Sequence, residues 1–137
     1  MFIRSVLDAI GDRPLAAVPP GTTIRDAAHL LDRYNIGALA VMAEGALQGI
    51  LSERDVIRRC IAQDADPATT LVDAVMTRDP ETVDAAAGLA DAIARMEAGQ
   101  FRHLPVMRDG TCIGILSIRD IPTEYRMMFE RFREMRG

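Results

Sequence analysis

The sequence predicts an α+β fold of two pseudo-symmetric β-α-β-β-α repeats packed sheet against sheet. Three observations carry that expectation. First, Gly49-Ile50-Leu51-Ser52-Glu53-Arg54-Asp55 returns as Gly114-Ile115-Leu116-Ser117-Ile118-Arg119-Asp120, a shift of 65 positions from Gly49 to Gly114. Second, Asp8-Ala9, Arg13, Val18, Asp26-Ala27, Leu39, Val41-Met42 and Gly45 also recur at that shift, which marks a duplication. Third, apolar alternation and helical periodicity follow each other in the same order within each copy.

In the first copy, Leu15 to Val18 reads as a short strand, with Pro19-Pro20-Gly21 as the loop after it. Thr23-Ile24-Arg25-Asp26 has the form of a capping box with a shorter acid, so a helix starts there. Its apolar face comprises Ile24, Ala27, Ala28, Leu30 and Leu31. Ala38–Met42 and Leu47–Leu51 are strands around the hairpin turn Glu44-Gly45. Ser52 opens a second helix that runs to about Ala62. The second copy repeats the order: Thr82-Val83, a helix from Gly88 to Glu97, Leu104–Met107, the turn Asp109-Gly110, Cys112–Leu116, and a helix from Ser117. The expected organisation is repeat one over residues 5–63, a linker over 64–70 containing Pro67, the core of repeat two over 71–120, and a C-terminal helical extension over 121–137. With one constant offset, superposing residues 7–55 on 72–120 should pair equivalent strands without insertion. A single copy of about sixty residues buries too little apolar surface to be comfortable alone, and pairing the two copies solves that problem.

Composition narrows the function classes. The 137 residues are 49% hydrophobic and 26% charged, so the chain should fold. Apolar runs such as Ala38–Ala43 are far too short to cross a bilayer. The first residues lack an apolar core of signal-peptide length, and a cytoplasmic, non-membrane protein is the default expectation. The net charge of −4 argues against a nucleic-acid partner. All sixteen basic residues are arginine. With no lysine, Schiff-base chemistry and a P-loop lysine are excluded, while bidentate arginine contacts to phosphate stay open. Cys60 and Cys112 lack a Cys or His at ligand spacing, so no metal site is expected and both read as buried thiols. His29 and His103 are the two imidazoles, and neither forms a recognisable triad with a serine. No catalytic residues, and no enzyme, are expected.

Ser-x-x-Asp at the end of an apolar strand is the informative element, at Ser52/Asp55 and Ser117/Asp120. Serine at the N-cap leaves outward N–H groups beside a partial positive charge, which suits an anion. A carboxylate one turn along can accept from both hydroxyls of a ribose. The same four residues also make a plain capping box, which needs no ligand. Two matched occurrences, each preceded by Gly-Ile-Leu, favour function over capping alone.

Two β-α-β-β-α copies carrying Gly-Ile-Leu-Ser-x-Arg-Asp, with Arg102-His103-Leu104-Pro105-Val106 before the second hairpin, resemble a tandem CBS domain, or Bateman module. The resemblance covers about Ser5 to Asp120. It implies a regulatory or sensor module that binds AMP, ADP, ATP or a NAD-type ligand in the clefts between its repeats and requires no cofactor. It places ribose on Asp55 and Asp120, and phosphate near Ser52 and Ser117, with Arg54 and Arg119 in the same motif. Arg102 and His103 are further phosphate candidates, and Thr22 follows the family's strand-to-helix pattern where the second copy has Ala87. The two sites should therefore differ. The resemblance also implies a homodimer and an unnamed regulated protein acting in trans. The alternative is an interaction or dimerisation module with no retained nucleotide binding.

Past Asp120, Pro122 should kink the motif helix or start a new segment. Tyr125, Met128, Phe129, Phe132 and Met135 then share one helical face, a stripe suited to a second subunit.

Overall fold

A computed structural model describes the backbone of residues 5–136, and all side chains there except those of Met128, Phe129, Phe132, Arg133, Met135 and Arg136. The chain divides into two compact units: Pro14–Pro80, and the segment ending at Arg13 together with the segment starting at Glu81.

The unit Pro14–Pro80 holds strands β1 (Ala17–Val18), β2 (Ala38–Ala43), β3 (Ala46–Ser52) and β4 (Thr77–Arg78) in the order β1-β2-β3-β4. β1 runs parallel to β2, and the other pairs are antiparallel. Helix α2 (Ile24–Tyr34) starts at Thr23, whose hydroxyl accepts from the Asp26 N–H at 3.1 Å. It ends at Asn35 in the left-handed region. Ile24, Ala27 and Leu31 of α2 are buried with Val18, Leu39, Val41, Leu51 and Cys60, while Ala28 and Leu30 lie half-buried. After Ser52 comes one turn of helix, α3 (Glu53–Asp55), then a wide π-type stretch Val56–Cys60 and a 3-10 turn Ile61–Gln63. The short α4 (Val72–Val75) leads into β4.

The other unit repeats this plan with β5 (Val83–Asp84) parallel to β6 (His103–Arg108), and β6 antiparallel to β7 (Thr111–Ser117). Helix α5 (Leu89–Gly99) buries Leu89, Ala92, Ile93 and Met96 against Leu104, Val106 and Leu116. The duplication extends to fine geometry. Both hairpins turn through two residues of positive φ, Glu44-Gly45 and Asp109-Gly110, as a two-residue primed turn requires. Both also carry a register shift at the same place, Val41/Met42 and Val106/Met107.

Three features differ from the sequence-based expectation. The helix expected from Ser117 is only a 3-10 turn, Ile118–Asp120. The residue before a proline is driven to an extended conformation, and Ile121, at φ −90° and ψ 124°, adopts one. Pro122 thus stops the motif helix, and α6 (Thr123–Arg136) begins as a new segment, as the proline implied. Most of the apolar stripe expected on α6 falls on side chains outside those described; of it, Tyr125 is 36% exposed.

The second difference is an exchange. Helix α1 (Val6–Ile10) belongs with the second copy's strands, burying Val6 and Ile10 among Val83, Leu89, Leu104 and Leu116. The Val6 N–H donates to the Ala87 carbonyl at 2.9 Å and the Leu7 N–H to that of Ala85 at 3.1 Å. Conversely, α4 packs with the first copy's strands, where the Val72 N–H donates to the Thr22 carbonyl at 2.8 Å. The compact units therefore cut across the sequence copies.

Third, the constant offset breaks before β1. The strands and hairpins keep the shift of 65, pairing Val18 with Val83. The leading helices instead correspond at 66, from Ser5 to Leu71, through the matched bridges Ser5 to Gly88 and Leu71 to Thr23. One residue more therefore separates Ser5 from Val18 than Leu71 from Val83, so the strands superpose without a gap while the leading helices do not.

Both cysteines are free and buried. Burial pushes the Cys112 thiol above its usual range, against opposing hydrogen bonds at the Gly114 and Val106 backbone. Because the folded state favours the neutral thiol, this contribution to stability is complete below the unfolded thiol's pKa and disappears as pH rises through the folded one.

Candidate functional site

Each Ser-x-x-Asp motif sits where an antiparallel strand turns into a helical segment. In the first, the Asp55 N–H donates to Ser52 Oγ at 3.1 Å, and the Ser52 N–H donates to Asp55 Oδ2 at 3.0 Å. In the second, the Arg119 N–H donates to Ser117 Oγ at 3.2 Å, and the Ser117 N–H to Asp120 Oδ2 at 2.8 Å. Both motifs are thus capping boxes, and both aspartate side chains stay accessible at 15% and 14%. Capping alone engages one oxygen of each carboxylate.

The other oxygen distinguishes the copies. Asp120 Oδ1 accepts from Arg13 Nη1 at 2.9 Å, while Arg13 Nη2 donates to Oδ2 at 2.8 Å. The same Nη2 donates to the Ile115 carbonyl at 3.0 Å. This ion pair raises the Arg13 guanidinium above its ordinary pKa, chiefly through the hydrogen bond. Asp55 has a looser companion: Arg59 Nε lies 3.8 Å from Oδ1, beyond hydrogen-bond distance. Arg59 Nη1 is committed to the Val75 and Met76 carbonyls at 3.2 Å each. Asp55 Oδ1 therefore remains open to a donor.

The remaining sequence candidates are dispersed around this frame. His103 stands opposite Ser117 in the β6–β7 register, as Ala38 stands opposite Ser52. The Arg102 carbonyl accepts from the Ile118 N–H at 2.9 Å, as the Gly37 carbonyl does from Glu53. Arg54, Arg102 and Arg119 are exposed, and no described residue forms a hydrogen bond or ion pair with their guanidinium groups. The Thr22 hydroxyl donates to the Pro19 carbonyl at 2.7 Å, so in this structure it closes its own loop. Sequence reasoning missed Arg13 and Arg59 as neighbours of the motif carboxylates. The recurrence of arginine at position 13 was visible, but its pairing across 107 positions was not.

The motif glycines have a packing role. A Cβ on Gly49 would lie 2.7 Å from both Met76 Sδ and the Thr77 carbonyl oxygen, whereas one on Gly114 meets only Ile10 Cδ1, at 3.1 Å. Among the described residues no helix is long and apolar enough to cross a membrane, and no group of three or more His, Cys, Asp or Glu could hold a metal.

Comparison with known proteins adds the family. The model of the CBS domain matches residues 7–62 and again 72–124. The CBS domain-containing protein YhcV of Bacillus subtilis is 35% identical over 107 residues, which cover 78% of this chain and 76% of that protein. The Arabidopsis thaliana protein CBSCBSPB3 is 38% identical over 102 residues, covering 74% of this chain but only 18% of its own length. The chain thus spans less than a fifth of that larger relative. Among solved structures, the CBS domain protein PAE2072 from Pyrobaculum aerophilum, crystallised with AMP, matches with a TM-score of 0.80 at 26% identity. That match covers 94% of this chain and 99% of the other.

Proposed function

The chain belongs to the CBS domain family, and we propose that it is a non-catalytic sensor that binds an adenine nucleotide and signals its occupancy to a protein partner in trans. AMP, ADP, ATP and NAD-type ligands share the adenosine unit that this reading requires. The open Oδ1 of Asp55, beside a capped helix start and a half-exposed arginine, carries the proposal. Ribose would donate to Asp55, with phosphate toward Ser52 and the N–H groups that follow it. Arg54 and Thr22 are the other candidates in that unit; in the other, Ser117, Asp120, Arg102, His103 and Arg119 stand at the corresponding positions, where Arg13 already occupies the carboxylate. The AMP complex of PAE2072 supports the ligand class.

Titration calorimetry against adenine nucleotides, NAD and S-adenosylmethionine tests this directly. Hydrogen bonds to a charged group contribute about 1.5–3 kcal/mol, so Asp55→Ala is expected to weaken binding about ten- to hundredfold. Asp55→Asn should do less harm, because one side-chain oxygen still accepts. If the Asp120 position is the one used, Arg102→Ala should weaken ATP or AMP more than adenosine. If Asp55 serves capping alone, Asp55→Ala lowers the melting temperature while nucleotide affinity stays the same.

Self-association as a homodimer is part of the same proposal. Ile57 and Ile61, one helical turn apart, are 60% and 52% exposed. Two large apolar side chains exposed this near each other favour a contact surface. Sedimentation is expected to show a two-chain species at micromolar concentration; a monomer at high micromolar concentration would reject it.

A further inference from the structure

We propose that Arg13 is a built-in occupant of the second motif, which holds the Asp120 carboxylate closed to ribose and leaves Asp55 as the nucleotide's carboxylate. This rests on the reading of the motif aspartates as ribose acceptors and assigns that role unequally.

The chemistry is one of substitution. A ribose cis-diol presents two O–H donors side by side to the two oxygens of a carboxylate. A guanidinium presents two N–H donors in the same fork. Arg13 already fills that place on Asp120, at 2.9 and 2.8 Å, and the Ser117 N–H takes a third position at 2.8 Å. Asp55 has the matching backbone donor from Ser52 but, among the described residues, no fork on its outer face. A diol and Arg13 cannot occupy Asp120 in the same way at the same time.

The break in the repeat explains how the fork arises. In the unit Pro14–Pro80 the segment after α4 becomes β4, with Thr77 opposite Ile50 and Arg78 opposite Gly49. Arg78 is held there, and its Nη2 donates to the Asp73 carbonyl at 3.1 Å. After α1 the chain turns instead through Gly11 at φ 58°, and the described residues there form no fourth strand. Ile115, which corresponds to Ile50, receives the Arg13 side chain on its carbonyl rather than a strand. The one extra residue before β1 thus accompanies the loss of a strand and the delivery of a guanidinium to both a sheet-edge carbonyl and the motif carboxylate. Arg13 is 45% exposed, so it can swing away without unfolding the unit.

AMP stoichiometry and affinity, measured by calorimetry on the full chain, test the assignment. The wild type is expected to bind one AMP per chain, weakened about ten- to hundredfold in Asp55→Ala and unchanged within twofold in Asp120→Ala. Arg13→Gln is expected to gain a second AMP per chain, and the double variant Arg13→Gln/Asp120→Ala to lose it again. A folded Arg13→Gln protein that keeps the wild-type stoichiometry overturns the inference. So does an Asp120→Ala protein that binds AMP tenfold more weakly than wild type, a result that stands even if Arg13→Gln fails to fold. In both cases Asp55-dependent binding leaves the nucleotide reading intact. No AMP bound by any variant removes both.

Discussion

Replacing Val6 and Ile10 together by alanine is expected to lower the unfolding free energy by about 4 kcal/mol or more. Both side chains are buried, at 0% and 5% exposure, in the core built from Val83, Leu89, Leu104, Val106 and Leu116. Truncating a buried isoleucine to alanine costs about 2–5 kcal/mol, and burial of a valine contributes about 1.5–3 kcal/mol. The two are one turn apart on α1 and share neighbours, so their effects will not add strictly. Domains are stable by only about 5–15 kcal/mol, so this loss approaches the margin of folding. The location is what makes the prediction informative. A five-residue helix has no stability of its own, and α1 exists because the second copy's core accepts it. Urea unfolding should show a lower midpoint, with Leu7→Ala, half-buried beside it, a milder control. A double variant within about 1 kcal/mol of wild type would mean that α1 is not part of that core.

That helix also marks the limit of what the sequence discloses. The hairpins were legible because Glu44-Gly45 and Asp109-Gly110 are local turn signals between alternating strands. Helix α2 was legible because Thr23 caps it and three turns of periodicity follow. Helices α1 and α4, at five and four residues, are too short to show a period. Their exchange between copies is a long-range choice that no local signal encodes. Duplication itself misled in one place: matching Asp8-Ala9 to Asp73-Ala74 satisfied the constant shift, while the bridges to Gly88 and Thr23 require one residue more. The candidate site divides in the same way. Both capping boxes could be read from Ser-x-x-Asp, because the interaction spans three residues. The difference between their outer oxygens could not, since Arg13 arrives from 107 positions away and Arg59 is diverted by the carbonyls of Val75 and Met76.

Gly49→Ala should destabilise the protein by about 1–3 kcal/mol, while Gly114→Ala should change stability by less than about 1 kcal/mol, although the motif gives the two glycines the same sequence setting. Neither position requires the left-handed backbone, so conformational freedom is not the reason. An alanine in a strand interior would by itself contribute about 0.5–1 kcal/mol in its favour. At Gly114 the new methyl meets the tip of the Ile10 side chain at 3.1 Å, which can give by a few tenths of an ångström. At Gly49 it meets the Thr77 carbonyl oxygen at 2.7 Å, and backbone cannot yield without parting β4 from β3. Inserting a methyl group into a packed core typically costs about 1–3 kcal/mol, and the Met76 Sδ, also at 2.7 Å, would have to move as well. The contrast follows from the same asymmetry that positions Arg13, because among the described residues only the unit Pro14–Pro80 has a fourth strand pressed on its motif glycine. Chemical denaturation of the two single variants measures it. Equal losses would show that the glycines answer to a constraint common to both copies rather than to β4.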